Sequence, residues 1–284
     1  MKQLLGKFLL WSVFFFATTD SLAANAVRES PAELRIGVLP YMSTERLMAR
    51  YTPLRIYLQR VLQRPVRLMT APTFASYLER ARHYEYDLYL TAPHFAVLAE
   101  TESQYQRVSH FQRELDASFV VLQDAPVRTL ADLKGKRVTT PDSLAIVTAM
   151  AEDALRHAGL EIDKTVEVVH APSHNAAVLA VANGQSDAAV VSSSVFESMS
   201  ADIRARVRVL DRTPKVPNIM FMASPKSVDA DYQAIKSAME NFGESEEGKA
   251  FFLETGYIGM APISDFDMDR VRPYANALRP GTQR

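Results

Sequence analysis

Apolar and polar positions along this chain fall into short blocks that switch between two periods. Leu34–Leu39 is a brief continuous apolar run of the kind a buried strand makes, and it stops at Pro40-Tyr41. Thr52-Pro53 then reads as an N-cap with proline in the first helical position, and Leu54, Leu58, Val61 and Leu62 fall on one helical face. Val66–Thr70 predicts a second strand. After Thr73 the spacing of Phe74, Tyr77, Leu78 and Ala81 predicts a helix, and Asp87–Leu90 predicts a third strand ending in Thr91-Ala92-Pro93. The plan then resumes with a strand at Ser118–Leu122, a short helix at Thr129–Lys134 stopped by Gly135, and a strand at Arg137–Thr140. Asp142 or Ser143 reads as the cap of a long helix with Leu144, Val147, Ala151, Ala154 and Leu155 on one face, closed by Gly159. Val166–Val169 and Asp187–Val191 predict strands around a helix at His174–Asn183, and Ser192-Ser193-Ser194 follows as a loop. A strand at Ile219–Ala223 and helices at Asp231–Asn241 and Glu246–Glu254 complete the pattern. Strand and helix alternating in this way predict an α/β protein on mostly parallel sheets.

Within that pattern a weak repeat is visible. Thr73–Ala92 and Ser173–Ser193 share one plan: a polar cap, an amphipathic helix, an aspartate, an apolar strand, then hydroxyl residues. Asp87 and Asp187 stand in equivalent places. Two similar α/β lobes facing each other would produce this, and so would any two βαβ units that happen to look alike.

The first residues alter the picture by pointing to export. Lys2 and Lys7 make a basic start, Phe8 to Ala17 an apolar stretch, and Ser21-Leu22-Ala23-Ala24 a small-residue run. This is the layout of a signal peptide over residues 1–23, cleaved near Ala23, and it predicts a periplasmic protein. About 260 residues then remain, enough for two ordinary lobes. With 48% apolar and 23% charged residues and a net charge of −1, the chain carries no long charge run and no aromatic–basic interleaving, so nucleic acid is not an expected partner. The absence of cysteine removes thiolate catalysis, thiolate metal sites and a thiol for lipid attachment.

In parallel α/β sheets ligands gather beyond the C-terminal ends of strands and at helix N-termini. That rule selects Tyr41 after the first strand, Thr91 after the third, Thr139, Thr140 and Ser143 at a strand-to-helix turn, Ser173 and His174 at a helix start, and Ser192–Ser194 at a strand end. Hydroxyls with one imidazole suit a small polar or anionic solute. Ser143 and Ser173 read equally well as helix caps, His174 as a surface or capping residue, and Tyr41 as core packing. Catalytic signatures are missing: there is no G-x-S-x-G elbow and no phosphate loop. The six histidines form no H-E-x-x-H pair, and His170 and His174 straddle a turn. The expectation is therefore a binding protein with no catalytic residue, no metal and no cofactor.

Several stretches bear a likeness to one family. Ile36–Tyr41 (IGVLPY), Tyr86–Pro93 (YDLYLTAP), Leu130–Val138 (LADLKGKRV), His174–Ala189 (HNAAVLAVANGQSDAA) and Thr213–Asn218 (TPKVPN) resemble the phosphate/phosphite/phosphonate-binding proteins of ABC importers, within the type II periplasmic binding superfamily. The resemblance covers about Leu34 to Tyr274. It implies two α/β lobes, each a mixed sheet flanked by helices, joined by two crossover hinge strands near Ser118–Leu122 and Ile219–Ala223. Lobe one would comprise residues 33–118 plus 215–284, and lobe two residues 119–214. The resemblance also matches His174 to the family's ligand-binding histidine and Ser143 to the serine that opens its oxyanion-binding turn. Two positions depart from it: the family's S-T-S-G is Ser143-Leu144-Ala145-Ile146 here, and its tyrosine is Thr91. Expectation thus settles on a monomeric periplasmic solute receptor that hands a small molecule to a membrane permease. Tyr41, Thr91, Ser143, His174 and Ser192 are its expected cleft contacts. The alternative is a solute-sensing module for a membrane signalling protein, and an exported hydrolase is a third reading.

Overall fold

The structure is a computed structural model that describes residues 32–278. The segment read as a signal peptide, with its cleavage near Ala23, lies outside the described residues. The first half comprises β1 (Leu34–Val38), α1 (Thr44–Leu62), β2 (Val66–Met69), α2 (Phe74–Arg82), β3 (Leu88–Thr91), α3 (Pro93–Ser103) and β4 (Gln106–Phe111). The second half comprises β5 (Ala117–Leu122), β6 (Arg137–Thr140), α4 (Ile146–His157), β7 (Glu167–His170), α5 (His174–Ala182), β8 (Ala188–Ser192), α6 (Ser193–Glu197), α7 (Ala201–Arg206) and β9 (Val207–Arg212). The chain ends with β10 (Met220–Ala223), α8 (Asp229–Asn241), α9 (Glu246–Thr255), β11 (Met260–Ala261) and α10 (Asp265–Ala277).

The strands form two mixed sheets, ordered β11-β4-β10-β3-β1-β2 and β7-β6-β8-β5-β9. In the first, β2, β1 and β3 are parallel and β10 runs antiparallel between β3 and β4. In the second, β7, β6 and β8 are parallel and β5 runs antiparallel between β8 and β9. Each inner antiparallel strand has just arrived from the other half of the molecule. The strands expected as crossovers, Ser118–Leu122 and Ile219–Ala223, are thus full members of the sheets. The passage between sheets occurs immediately before them, in residues 112–116 and 213–219. These two segments are joined by reciprocal backbone bonds between Leu115 and Val216, each 2.8 Å.

The suspected repeat is present in atomic detail. Asp87 Oδ2 accepts the Arg35 backbone N–H at 2.8 Å while the Asp87 N–H donates to the Arg35 carbonyl, also at 2.8 Å. Asp187 does the same to Arg137, at 2.9 and 3.0 Å. Thr73 caps α2 by accepting the Ser76 N–H, and Ser173 caps α5 by accepting the Ala176 N–H. Both helices then turn through a left-handed residue, Tyr84 (φ 56°) in one and Gly184 (φ 71°) in the other. Gly37 in β1 answers a different demand: a Cβ there would sit 2.4 Å from the buried Tyr86 ring.

Three apolar clusters hold the fold. One lies beneath α1, α8 and α9, where Leu47, Tyr51, Leu54 and Leu58 meet Ile36, Phe111, Phe221 and Phe251. A smaller one packs Val178, Val181 and Phe196 against Ala189 and Val191. The third draws residues from both halves, among them Phe74, Tyr89 and Phe95 of the first and Phe119, Val138 and Ile146 of the second. The last helix, α10, packs on α3 and reaches α4 of the other half.

Several local expectations are corrected. Thr52-Pro53 does not start a helix: α1 begins at Thr44 and Pro53 lies inside it. An interior proline costs about 3 kcal/mol, but starting the helix only at Pro53 would forfeit the burial of Leu47 and Tyr51, each worth about 1.5–3 kcal/mol. The Thr52 hydroxyl also donates to the Met48 carbonyl at 2.7 Å. Neither Asp142 nor Ser143 caps α4, which starts at Ile146 with Ala145 as an uncapped N-cap; Asp142 Oδ1 instead accepts the Leu144 N–H at 2.8 Å, one turn earlier. Burial of Ala145 and Ile146 in the shared cluster places the helix start there. Ser193 and Ser194 are not loop residues but open α6.

Candidate functional site

Strand register places the two candidate walls. The first residue of β10, Met220, pairs with Thr91, the last of β3. The first residue of β5, Ala117, pairs with Ser192, the last of β8. The C-terminal ends of the parallel strands in both sheets therefore lie at the crossovers, and the turns that leave them face the same region.

On the second-half wall, Ser173 fixes the start of α5 and so sets His174 beside the end of β8. The Ser192 N–H donates to His174 Nδ1 at 3.3 Å. A nitrogen that accepts carries no hydrogen, so the neutral imidazole holds its proton on Nε2 and presents it as a donor. The residue is half-buried, and desolvation of the ring pushes its pKa down to about 4. The imidazole is therefore neutral across the ordinary pH range. Ser192 Oγ lies 3.0 Å from Ser194 Oγ, and Thr140 Oγ1 lies 2.9 Å from His170 Nδ1. Ser193 turns inward: its hydroxyl donates to Asp116 Oδ2 at 2.8 Å, so the Ser118 hydroxyl, 2.7 Å away, must donate to Ser193. Ser143 is exposed, and its hydroxyl has no hydrogen-bond partner among the described residues.

The first-half wall is aromatic and more tightly sealed. Tyr41 follows β1, half-buried, with its hydroxyl 3.1 Å from that of Tyr51 and 3.5 Å from Arg50 Nη1. Thr91 is wholly buried, and no hydrogen-bond partner meets its hydroxyl. Three residues on, at the N-terminus of α3, His94 is also wholly buried and stacks on Phe95 with ring centroids 4.0 Å apart. Its Nε2–H donates to the Leu144 carbonyl of the opposite half at 3.0 Å, leaving Nδ1 as an unpartnered acceptor. Burial drives this imidazole down to about 4, with the Leu144 carbonyl pulling the other way.

Of the five expected contacts, the structure joins His174 and Ser192 directly and sets Ser143 one residue from the Leu144–His94 bond. Thr91 begins the turn that delivers His94, and Tyr41 belongs to a separate cluster with Arg50. The sequence reading missed His94 because α3 shows no period: Pro93 through Ala99 are all buried, so no polar face marks the helix. It also missed the charges beside the crossovers, where Arg212 meets Asp116 at 3.3 Å and Glu197 at 3.4 Å, and Arg113 meets Glu197 at 3.6 Å. No spacing rule brings positions so far apart together. No helix among the described residues is long and apolar enough to cross a membrane.

The architecture agrees with comparisons to known proteins. The model of the family described as "ABC transporter, phosphonate, periplasmic substrate-binding protein" matches residues 36–268. The chain belongs to that family. As a member of it, the chain is a solute-binding component of an ABC importer and not an enzyme; the family also implies a periplasmic location, a small-molecule ligand and a permease partner. Solved structures show the fold. PhnD1 from Prochlorococcus marinus (MIT 9301), in complex with methylphosphonate, superposes with a TM-score of 0.76 at 18% identity, over 88% of this chain and 99% of that one. A binding protein component of an ABC phosphonate transporter from Pseudomonas aeruginosa gives 0.74 at 15% identity, over 84% of each chain. The periplasmic aliphatic sulphonate binding protein SsuA from Escherichia coli gives 0.61 at 18% identity, over 87% of this chain and 86% of that one. This phosphonate-binding family shares the two-lobed fold with its mixed sheets and two crossovers.

Proposed function

We propose that this family member captures a small polar or anionic solute, phosphonate-like in chemistry, between its lobes and delivers it as a monomer to the permease. Lobe one is taken as residues 33–118 plus 215–284 and lobe two as residues 119–214, with closure by bending at the crossovers. Export would remove residues 1–23 by cleavage near Ala23. Tyr41 and Thr91 supply contacts from lobe one, and Ser143, His174 and Ser192 from lobe two. The observation that carries this reading is the Ser192 N–H to His174 Nδ1 bond. It fixes the tautomer and aims one neutral donor, His174 Nε2–H, from the end of β8, ready for an oxygen of the solute without a change of protonation.

A thermal-shift screen of the mature protein against phosphate, phosphite, methylphosphonate and methanesulfonate tests it. At least one of these raises Tm, and His174→Ala removes the shift while leaving the ligand-free Tm close to that of the parent. A screen in which none of the four moves Tm overturns the phosphonate-like ligand class; a shift that survives His174→Ala overturns the role of that histidine.

A further inference from the structure

We propose that Arg50, with the hydroxyls of Tyr41 and Tyr257, forms the oxyanion seat of the cleft on the lobe-one side. This rests on the solute-receptor reading above and names the group that neutralises the charge of the solute.

Arg50 lies on α1 at the margin of its buried stripe, half-buried, and no carboxylate lies within 4 Å of it among the described residues. Half-buried guanidinium groups are ordinarily paired, because desolvating the charge without a counter-charge is costly. The groups around Arg50 are phenols instead. Tyr41 Oη is 3.5 Å from its Nη1, and Tyr51 Oη is 3.1 Å from Tyr41 Oη. The Tyr257 hydroxyl feels both Arg50 and Arg113: burial raises its pKa well above the ordinary tyrosine value, the nearby Tyr41 adds to that rise, and the two arginines oppose it. Phenols bring hydroxyl groups but no counter-charge.

The seat is held rigidly and in the right place. Tyr257 stacks on Phe111 with centroids 4.0 Å apart and planes 9° apart, and Tyr51 packs against Phe251 at 5.8 Å. Arg113 belongs to the first crossover segment and donates to the Gly256 carbonyl at 3.4 Å, so the loop that carries Tyr257 lies beside the crossover. Tyr41 leaves β1 at that same end of the sheet. Across the crossovers Arg113 and Arg212 share Glu197, and Arg212 also holds Asp116. Arg50 has no such carboxylate partner among the described residues and keeps an uncompensated positive charge. One oxyanion balances it, with a guanidinium fork and phenolic O–H groups as donors. On the facing wall, Leu144, Ala145 and Ile146 bring no hydroxyl, and the His174 donor is neutral, so the counter-charge for a solute comes from lobe one.

Isothermal titration of the mature protein with methylphosphonate, methanesulfonate and acetate tests the seat. Arg50→Gln is expected to weaken the tightest of these oxyanions by about ten- to a hundredfold, the loss of a charged hydrogen-bonded pair, and Tyr257→Phe by a few-fold. Arg50→Lys, which keeps the charge but not the fork, falls between parent and Arg50→Gln. Circular dichroism and the ligand-free Tm confirm folding, and Arg50→Lys with Tyr257→Phe carries the test if Arg50→Gln does not fold. Affinity within twofold of the parent in the folded variants overturns the seat. If His174→Ala abolishes binding while the Arg50 variants retain it, the receptor reading stands and the seat falls. If the parent binds none of the three anions, the seat falls as well, and the receptor reading is then judged by the phosphate and phosphite arms of the thermal screen.

Discussion

Residues 73–92 and 173–193 repeat one backbone scaffold and fill it differently. In both, a side-chain cap starts a helix, a left-handed residue follows its end, and an aspartate clasps a residue at the start of the central parallel strand. Counting from the clasped residues Arg35 and Arg137, Gly37 matches Thr139, and Tyr86 matches Ser186 one residue before each aspartate. In the first half the Tyr86 ring occupies the space over Gly37. In the second, the Thr139 hydroxyl donates to Ser186 Oγ at 2.8 Å. The first half therefore continues into a stack of tyrosines, Tyr77 on Tyr86 at 5.1 Å and on Tyr89 at 5.2 Å, while the second continues into hydroxyls. Repeated backbone contacts preserve the frame, and the choice of side-chain volume decides whether an aromatic ring or a bonded pair of hydroxyls fills the space between strand and helix.

The sharpest way to break this comparison is to change one matched side chain in each half. Gly37→Ala forces a Cβ into the Tyr86 ring and is expected to cost about 3 kcal/mol in urea unfolding, whereas Thr139→Ala, which loses one hydrogen bond, costs about 1 kcal/mol. Equal losses at the two positions would show that the halves do not divide volume as described.

Acid titration probes the sealed wall next. The folded-state pKa of His94 is lowered from 6.5 to about 4, so below pH 6.5 the unfolded chain takes up a proton that the folded chain refuses. Its contribution is fully present above pH 6.5 and is lost as pH falls toward 4, by at most about 3 kcal/mol. His174 shifts in the same direction but is half-buried, and its effect is smaller. Unfolding free energies measured from pH 7 to 4.5 should fall less steeply in His94→Gln than in the parent; an unchanged slope would remove His94 as the source.

The smallest effects separate the two caps. Thr73 makes a full capping box with Ser76, and Ser173 a single bond. Thr73→Ala should cost about 1 kcal/mol and Ser173→Ala somewhat less, read from chemical denaturation midpoints. Ser173→Ala should also loosen the placement of His174 and weaken binding of whichever anion raises Tm, an effect that Thr73→Ala lacks.

Much of this frame was legible in the chain itself. Strands such as Leu34–Val38 and Ala188–Ser192 are dense apolar runs between turn residues, and the aspartates repeat because the same backbone contact requires them. What escaped notice did so for physical reasons. α3 is buried all round and shows no amphipathic period. The Thr52-Pro53 signal was local, and it yielded to the apolar stripe that runs through it. The bond of His94 to residue 144, and the meeting of Arg113 and Arg212 at Glu197, depend on closure of the chain in three dimensions, which no local spacing encodes.

The reciprocal amide pair between Leu115 and Val216 carries a mechanical consequence. Two separate tethers would let the halves slide, splay and rotate independently. Stitched to one another, they form one short antiparallel ribbon, and closure by bending at the crossovers, as proposed above, would be confined chiefly to a single torsional coordinate. One well-chosen pair of spin labels, one on each half, would then suffice to follow it.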